Sequence, residues 1–504
     1  MPRVCGFDNE KYLAEQSQAI LERVTRASGK LYLEFGGKLL FDMHAARVLP
    51  GYDPNVKMRL LQKLSGQTDI ILCIHAGAIE RRKVRADFGI TYDSDALKLI
   101  DDIRSWNLDV CGVVITCFEG QPAAKLFQNR LERRNIRVYL HRPTRGYPDD
   151  VNLIVSEEGY GANPFIETER PLVVVTGPGP GSGKLATSLS QLYHEHRRGR
   201  RAGYAKFETF PIWNLPLQHP VNVAYEAATL DLGDCNLIDP HHMEAYGVPC
   251  VNYNRDVGAF PLLRCILQRI NGETAGYRSP TDMGVNRAGF AIVNDEAVQA
   301  AARQEIIRRS FRAHCEYALG MTDKTPVHRA GMIMKSLQLT PEDRPVVGPA
   351  RRAMREGQAA GKGSDGICCG AALELASGAI VTGKNSPLLH AASSLLLNAV
   401  KSLAGIPDQM HLLQPNVVES ITNLKENVLR LKAVSLDVEE TLVALAASTI
   451  TNPAAKLAVE KLPELRGCDV HLSHIPPQGD EAGLRKLGVN LTSDPEFSSR
   501  NLLG

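Results

Sequence analysis

The residues best suited to chemistry lie in one stretch, VVVTGPGPGSGKLATSLSQLYHE, from Val173 to Glu195. An apolar strand runs into a loop carrying Gly177, Gly179, Gly181 and Gly183, and Lys184 opens an amphipathic helix. Such a junction turns several backbone N–H groups and the positive end of a helix toward one point, where an anion is stabilised. Glycine lets the backbone come close to phosphate, and Lys184 adds a flexible positive charge that can reach outer phosphates. The spacing departs from the phosphate-loop pattern GxxxxGK[ST] in two places: Pro178 takes the first glycine position and Leu185 the magnesium-binding hydroxyl position. Thr187 is the nearest helix hydroxyl, two places late. The expected phosphate or nucleotide contacts are Gly177, Gly179, Gly181, Ser182, Gly183, Lys184 and Leu185. The alternative is a tight strand-to-helix turn without a ligand.

If the ligand is ATP with magnesium, an acidic residue is expected at the end of a neighbouring strand to hold metal-bound water. GYAKFE ends in Glu208 and CNLID in Asp239, so these two join Lys184 as candidate catalytic residues, although an acid after a strand also serves as a helix cap. The order of strand, glycine loop, helix and KFETFPIWNLP parallels, at the level of fold, ATP-using amide-forming synthetases of the phosphate-loop class. The segment IDPHHMEAYGVPC gathers Asp239, His241, His242, Glu244 and Cys250, and His242 is a candidate acid or base. It holds a fragment of the zinc deaminase signature, but Cys250 is followed by Val251, Asn252 and Tyr253 rather than a second thiolate, so no metal site is expected. The run HEHRRGRR at 194 to 201 reads as the cationic end of a helix before Gly199, and no nucleic-acid partner is expected from it.

The elements that must position these residues alternate between short apolar runs and helical-period segments. Strands are expected at LYLEF (31 to 35), DIILCIH (69 to 75), VCGVVITCF (110 to 118), IRVYL (136 to 140), VNLIV (151 to 155) and LVVVT (172 to 176), rich in Val and Ile as buried parallel strands are. Between the third and fourth, QPAAKLFQNRLERR reads as a helix with Pro122 in its first turn. The fold class is therefore α/β, with mainly parallel sheets flanked by helices. Three regions are expected: a Rossmann-like domain over 1–170, a phosphate-loop region over 171–322 and a C-terminal α/β domain over 323–504, with a linker at Gly320. In the last, AALELASGAIVTG gives two strands with a turn at Ser377-Gly378, and SPLLHAASSLLLNAVKSLAG a buried helix.

Composition bounds the function. At 504 residues the chain divides into several cores. Hydrophobic residues at 44% and charged residues at 23% exclude a disordered chain, and Lys+Arg at 58 against Asp+Glu at 56 supply no field for a polyanion. The start MPRVCGFDNEKYL is unlike a signal peptide and no stretch has the length of a membrane span, so a cytoplasmic protein is expected. Eleven scattered cysteines without a CxxC pair fit a reducing compartment and no disulfide. Ala- and Leu-rich C-terminal helices are consistent with a homo-oligomer.

Along nearly its whole length the chain resembles one bacterial family of unknown function, domain of unknown function 1846 (UPF0371). The resemblance rests on GFDNEKYL, FGGKLLFDMHAARVLPG, GITYDSDALKLID, VSEEGYG, GPGPGSGK, GYAKFETFPIWNLPLQHPVN, NYNRDV, SPTDMGVN and TGKNSPLL. It implies an α/β N-terminal part and a separate C-terminal domain similar in outline to the three-layer cytidine-deaminase-like architecture, without its zinc ligands. Family members have been labelled ATP-dependent peptidases, but this sequence has no HExxH and no nucleophile elbow. Two expectations follow from the loop: an enzyme of the ATP-dependent ligase or kinase type, or a non-catalytic protein that binds a nucleotide or phosphometabolite.

Overall fold

A computed structural model describes residues 5–85, 89–272, 276–364 and 366–499. The chain forms two compact units, one from Cys5 to Ala302 and one from Arg303 onward. No described helix is long and apolar enough to cross a membrane. All eleven cysteines are free.

The first unit is built on seven strands: β1 (Lys30–Phe35), β2 (Thr68–His75), β3 (Val110–Thr116), β4 (Val138–Leu140), β5 (Leu172–Thr176), β6 (Ala202–Phe207) and β7 (Gly284–Val285). They pair in the order β7-β6-β1-β5-β2-β3-β4, every neighbour parallel. Each residue of β5 is buried, which is why LVVVT is a continuous apolar run rather than an alternating one. One face packs Val173 and Val175 against Leu189 and Leu192 of the helix Lys184–Arg197 and Phe260 of the helix Asn254–Asn271.

The chain order and the strand order differ, and this matters for the site. β5 follows the position expected for a domain boundary at residue 170, yet it inserts between β1 and β2, and β6 lies on the far side of β1. Strands from both 5–170 and 171–302 therefore share one sheet, and the expected boundary falls inside a single unit. The expected strand at 151–155 is instead the short helix Val151–Ile154: Asp150 accepts a hydrogen bond from the Leu153 N–H and starts a helical turn, overriding the β-propensity of Val and Ile. The stretch at Gly320, expected to be a linker, is the turn between the helices Asp295–Ala318 and Lys324–Ser336.

The second unit carries β8 (Gly370–Glu374), β9 (Ile380–Lys384), β10 (Asp469–Leu472) and β11 (Asn490–Ser493), ordered β9-β8-β10-β11. β8 is antiparallel to both neighbours, while β10 and β11 are parallel. The turn falls at Ser377-Gly378, where Gly378 has φ 84°. Alternation along β8 sets three layers: Ala371 and Leu373 pack with Leu395 and Leu396 of the helix Ala391–Ala404, and Ala372 packs with Ala350 of the helix Val347–Ala359 on the other face.

Candidate functional site

In a parallel sheet, loops that follow the strands collect at one edge, and ligands bind there where the strand order reverses direction. The glycine loop leaves the end of β5 between β1, which closes with Glu34 and Phe35, and β2, which closes with His75.

Contacts within the protein explain three of the loop's four glycines. A Cβ on Gly177 would lie 2.5 Å from the Cys73 carbonyl oxygen and 2.5 Å from Ser182 Oγ, and one on Gly183 would lie 2.6 Å from Thr116 Oγ1. A Cβ on Gly179 would enter the Tyr92 ring at 2.6 Å. Thr116, at the end of β3, donates its hydroxyl to the Ser182 carbonyl at 2.9 Å and fastens the loop to the sheet. Gly181 is the exception: nothing crowds it, its φ is 70°, and it is the exposed crest of the loop. Among the described residues, the backbone N–H groups of Gly181, Ser182, Gly183, Lys184, Leu185 and Ala186 donate to no protein acceptor. Gly183 starts the helix without a capping side chain, so the first-turn donors stay open.

Lys184 is half-buried over this loop. Among the described residues its Nζ makes only long contacts, 3.4 Å to the Gly179 carbonyl and 3.5 Å to Ser182 Oγ. Burial pushes its pKa below the ordinary lysine value, against the opposing pull of Glu34. Leu185 has no hydroxyl and packs against the core cluster of the sheet, and the Thr187 hydroxyl is fully buried, so neither position offers a hydroxyl at the loop.

On the β1 and β6 side of the loop sits a charged cluster. Lys206 Nζ contacts Glu208 Oε1 at 2.7 Å and is closely paired with Asp256 and the Tyr253 hydroxyl. Tyr253 also donates to Glu208 Oε1 at 2.7 Å, and Tyr204 donates to Glu34 Oε2 at 2.8 Å. Burial opposes the Lys206 charge, but Asp256, Glu208 and Glu34 outweigh it and hold its pKa well above the ordinary value. Burial raises the Glu208 carboxyl above the usual carboxylate range, with Lys206 pulling the other way. Lys184 feels the charges of Glu34, Lys206 and Arg255, which ties this cluster to the loop.

On the β2 side lies a cleft of about 220 Å³ lined by His75, Arg81, Lys83, Tyr92, Gly181 and Ser182. His75 Nδ1 accepts the Gly77 N–H at 2.9 Å, which leaves the ring proton on Nε2. Burial, then Arg81 and Lys83, lower its pKa below the ordinary histidine value.

Of the sequence-derived candidates, the structure brings Gly177 through Leu185 and Glu208 to this edge. Asp239 and His242 have other partners. Asp239 follows the first strand of the separate antiparallel pair Asn236–Ile238 and Val251–Tyr253; one carboxylate oxygen accepts the His241 and His242 N–H groups at 3.0 and 3.1 Å, the other the Thr281 hydroxyl at 2.7 Å. This is a helix cap and a tether in a fully buried position. His242 Nδ1 lies 2.8 Å from Ser279 Oγ, beside the Tyr246 ring. Sequence reasoning passed over Glu34, Lys206, His75 and Arg81. The signal for Glu34 is an acid near the end of the apolar run LYLEF, but it precedes the loop by some 140 residues, and only the strand order brings the two together.

Fold and site together define an α/β protein with a phosphate-loop-like junction of strand, loop and helix at a switch in strand order. The chain belongs to the DUF1846 family. The family's N-terminal description, "Domain of unknown function DUF1846, N-terminal", matches residues 5–338, and its C-terminal counterpart matches residues 342–503. The chain is 56% identical over 498 residues to a UPF0371 protein of Clostridium botulinum (strain Langeland / NCTC 10281 / Type F), with 99% of both chains covered. It is 55% identical over 497 residues to a UPF0371 protein of Clostridium tetani (strain Massachusetts / E88), again over 99% of both.

Proposed function

We propose that this protein binds a phosphate-bearing ligand, a nucleotide or a phosphorylated metabolite, at the loop Gly177–Lys184. The observation that carries the reading is the run of unpaired backbone N–H groups from Gly181 to Ala186 beneath a weakly held lysine amine. Donors left open together at a helix start are satisfied by an anion, and Lys184 neutralises the charge the helix end does not.

A second reading, an ATP-dependent enzyme of the ligase or kinase type, is favoured by Glu208. Its carboxyl, raised by burial and electrostatically linked to the loop through Lys206, has the character of a general acid or base. Leu185 stands where the magnesium-binding hydroxyl of a phosphate loop is needed.

The experiment is thermal unfolding against a panel of nucleotides, pyrophosphate and sugar phosphates. A ligand at about 100 times its dissociation constant adds roughly 2.7 kcal/mol by mass action, and Lys184→Ala is expected to remove most of that gain. No response to any member of the panel, or an equal response in Lys184→Ala, sinks the loop as the binding site. Consumption of bound nucleotide by the wild type, abolished in Glu208→Gln, separates the enzyme from the binding protein.

A further inference from the structure

The two flanks of the loop differ in sign. Toward β1 and β6 the carboxylates of Glu34, Glu208 and Asp256 outnumber the cations Lys206 and Arg255. Toward β2, no carboxylate is among the described residues that line the cleft beside Gly181 and Ser182; the charged side chains among them are Arg81 and Lys83. Both are exposed, and neither makes an ion pair among the described residues. Lys83 sits over the Tyr92 ring, 5.3 Å from its centroid. Their positions are set by the short turn after β2: the Arg81 N–H bonds the Gly77 carbonyl and the Lys83 N–H the Ala78 carbonyl, at 3.2 and 3.0 Å.

His75 adds a neutral donor to these two cations. Its Nδ1 is occupied by the Gly77 N–H, so its proton is on Nε2. Gly77 allows this arrangement, since a Cβ there would lie 3.0 Å from the His75 ring. A ligand anchored by one phosphate at the loop N–H groups therefore meets cations without carboxylate partners, together with a neutral N–H donor, on the β2 side, whereas Lys206 and Arg255 on the other side are paired with carboxylates.

We propose that the ligand of this loop is a polyphosphate, with at least two linked phosphoryl groups as in a nucleoside di- or triphosphate, and that its second phosphate lies in the His75–Arg81–Lys83 cleft. This rests on the loop being a phosphate site and narrows it: phosphomonoesters use the loop alone, whereas a diphosphate uses the cleft as well. Arg81 supplies a planar fork matched to phosphate oxygens, Lys83 a point charge, and His75 a hydrogen bond without added charge.

The test is calorimetric titration of the full-length protein with orthophosphate and with pyrophosphate, in the wild type, in the Arg81→Ala/Lys83→Ala double variant and in Lys184→Ala. Pyrophosphate is expected to bind the wild type about tenfold more tightly than orthophosphate or better, as added charge-assisted contacts imply. The double variant is expected to lose that preference while its orthophosphate affinity stays within about twofold. Equal affinity for the two anions in the wild type, or a preference that survives in the double variant, overturns the cleft but leaves the loop standing. Absence of binding by either anion, or unchanged binding of both in Lys184→Ala, overturns the loop and the cleft together. Because Arg81 and Lys83 are exposed, unchanged melting of the double variant verifies that a loss of binding is not a loss of fold.

Discussion

Arg344 in the C-terminal unit and Arg81 in the N-terminal unit carry the same group to opposite ends. Arg344 is 1% exposed; its guanidinium donates to Thr492 Oγ1 at 3.0 Å and to the Asn490 carbonyl at 2.7 Å, and pairs with Asp469 at 3.2 Å. Around it, Arg351 and His471 converge on Asp494. These charges are answered from within the fold. Arg81 stands at the rim of a cleft, exposed and without an ion pair among the described residues. Folding free energy explains the first arrangement. The second contributes little to stability, and charge placed so is available to a ligand.

The sharpest way to break this contrast is to remove each charge in turn and measure denaturant unfolding. Arg344→Ala strands Asp469 and two hydrogen-bond acceptors, and a loss of about 3 kcal/mol or more in the stability of the C-terminal unit is expected. A loss under about 1 kcal/mol would show that Arg344 is not held as tightly as its contacts indicate.

Next in size is Asp494→Asn. Burial would raise the Asp494 carboxyl, but the hydrogen bonds of His471 and Arg351 outweigh it and hold the pKa at about 2, against 3.8 in the unfolded chain. A depressed carboxylate stabilises the fold above its unfolded pKa and loses that contribution as pH falls. The substitution is therefore expected to remove about 2 kcal/mol at neutral pH, with the difference from wild type shrinking between about pH 4 and pH 2. A difference independent of pH over that window would reject the assignment.

Asp239→Ala tests the capping role. Loss of a cap that also holds Thr281 is expected to lower stability by about 1 to 2 kcal/mol while leaving anion affinity at the loop unchanged. Lost affinity in a stably folded variant would return Asp239 to the site. The smallest effect on stability belongs to Arg81→Ala, expected within about 0.5 kcal/mol of wild type. A larger loss would give Arg81 a structural duty and erase the comparison.

The elements were legible in the sequence wherever periodicity and chain breaks spoke together. LVVVT followed by four glycines and Lys184 could be read as strand, loop and helix because burial on both faces demands an unbroken apolar run and the turn demands residues without a Cβ. The strand read at 151–155 was lost to a local hydrogen bond at Asp150, which propensity does not register. The spacing of Gly177, Gly179 and Gly183 suggests phosphate approach, whereas Cys73, Ser182, Tyr92 and Thr116 account for them sterically.

What the sequence by itself determined is the α/β class, the loop and its lysine, because these depend on residues adjacent in the chain. The order of strands is decided by which apolar faces cover one another, an energy summed over residues far apart. Only the tertiary structure, by inserting β5 between β1 and β2, set Glu34 and His75 on either side of Lys184, and so made one flank of the loop acidic and the other basic.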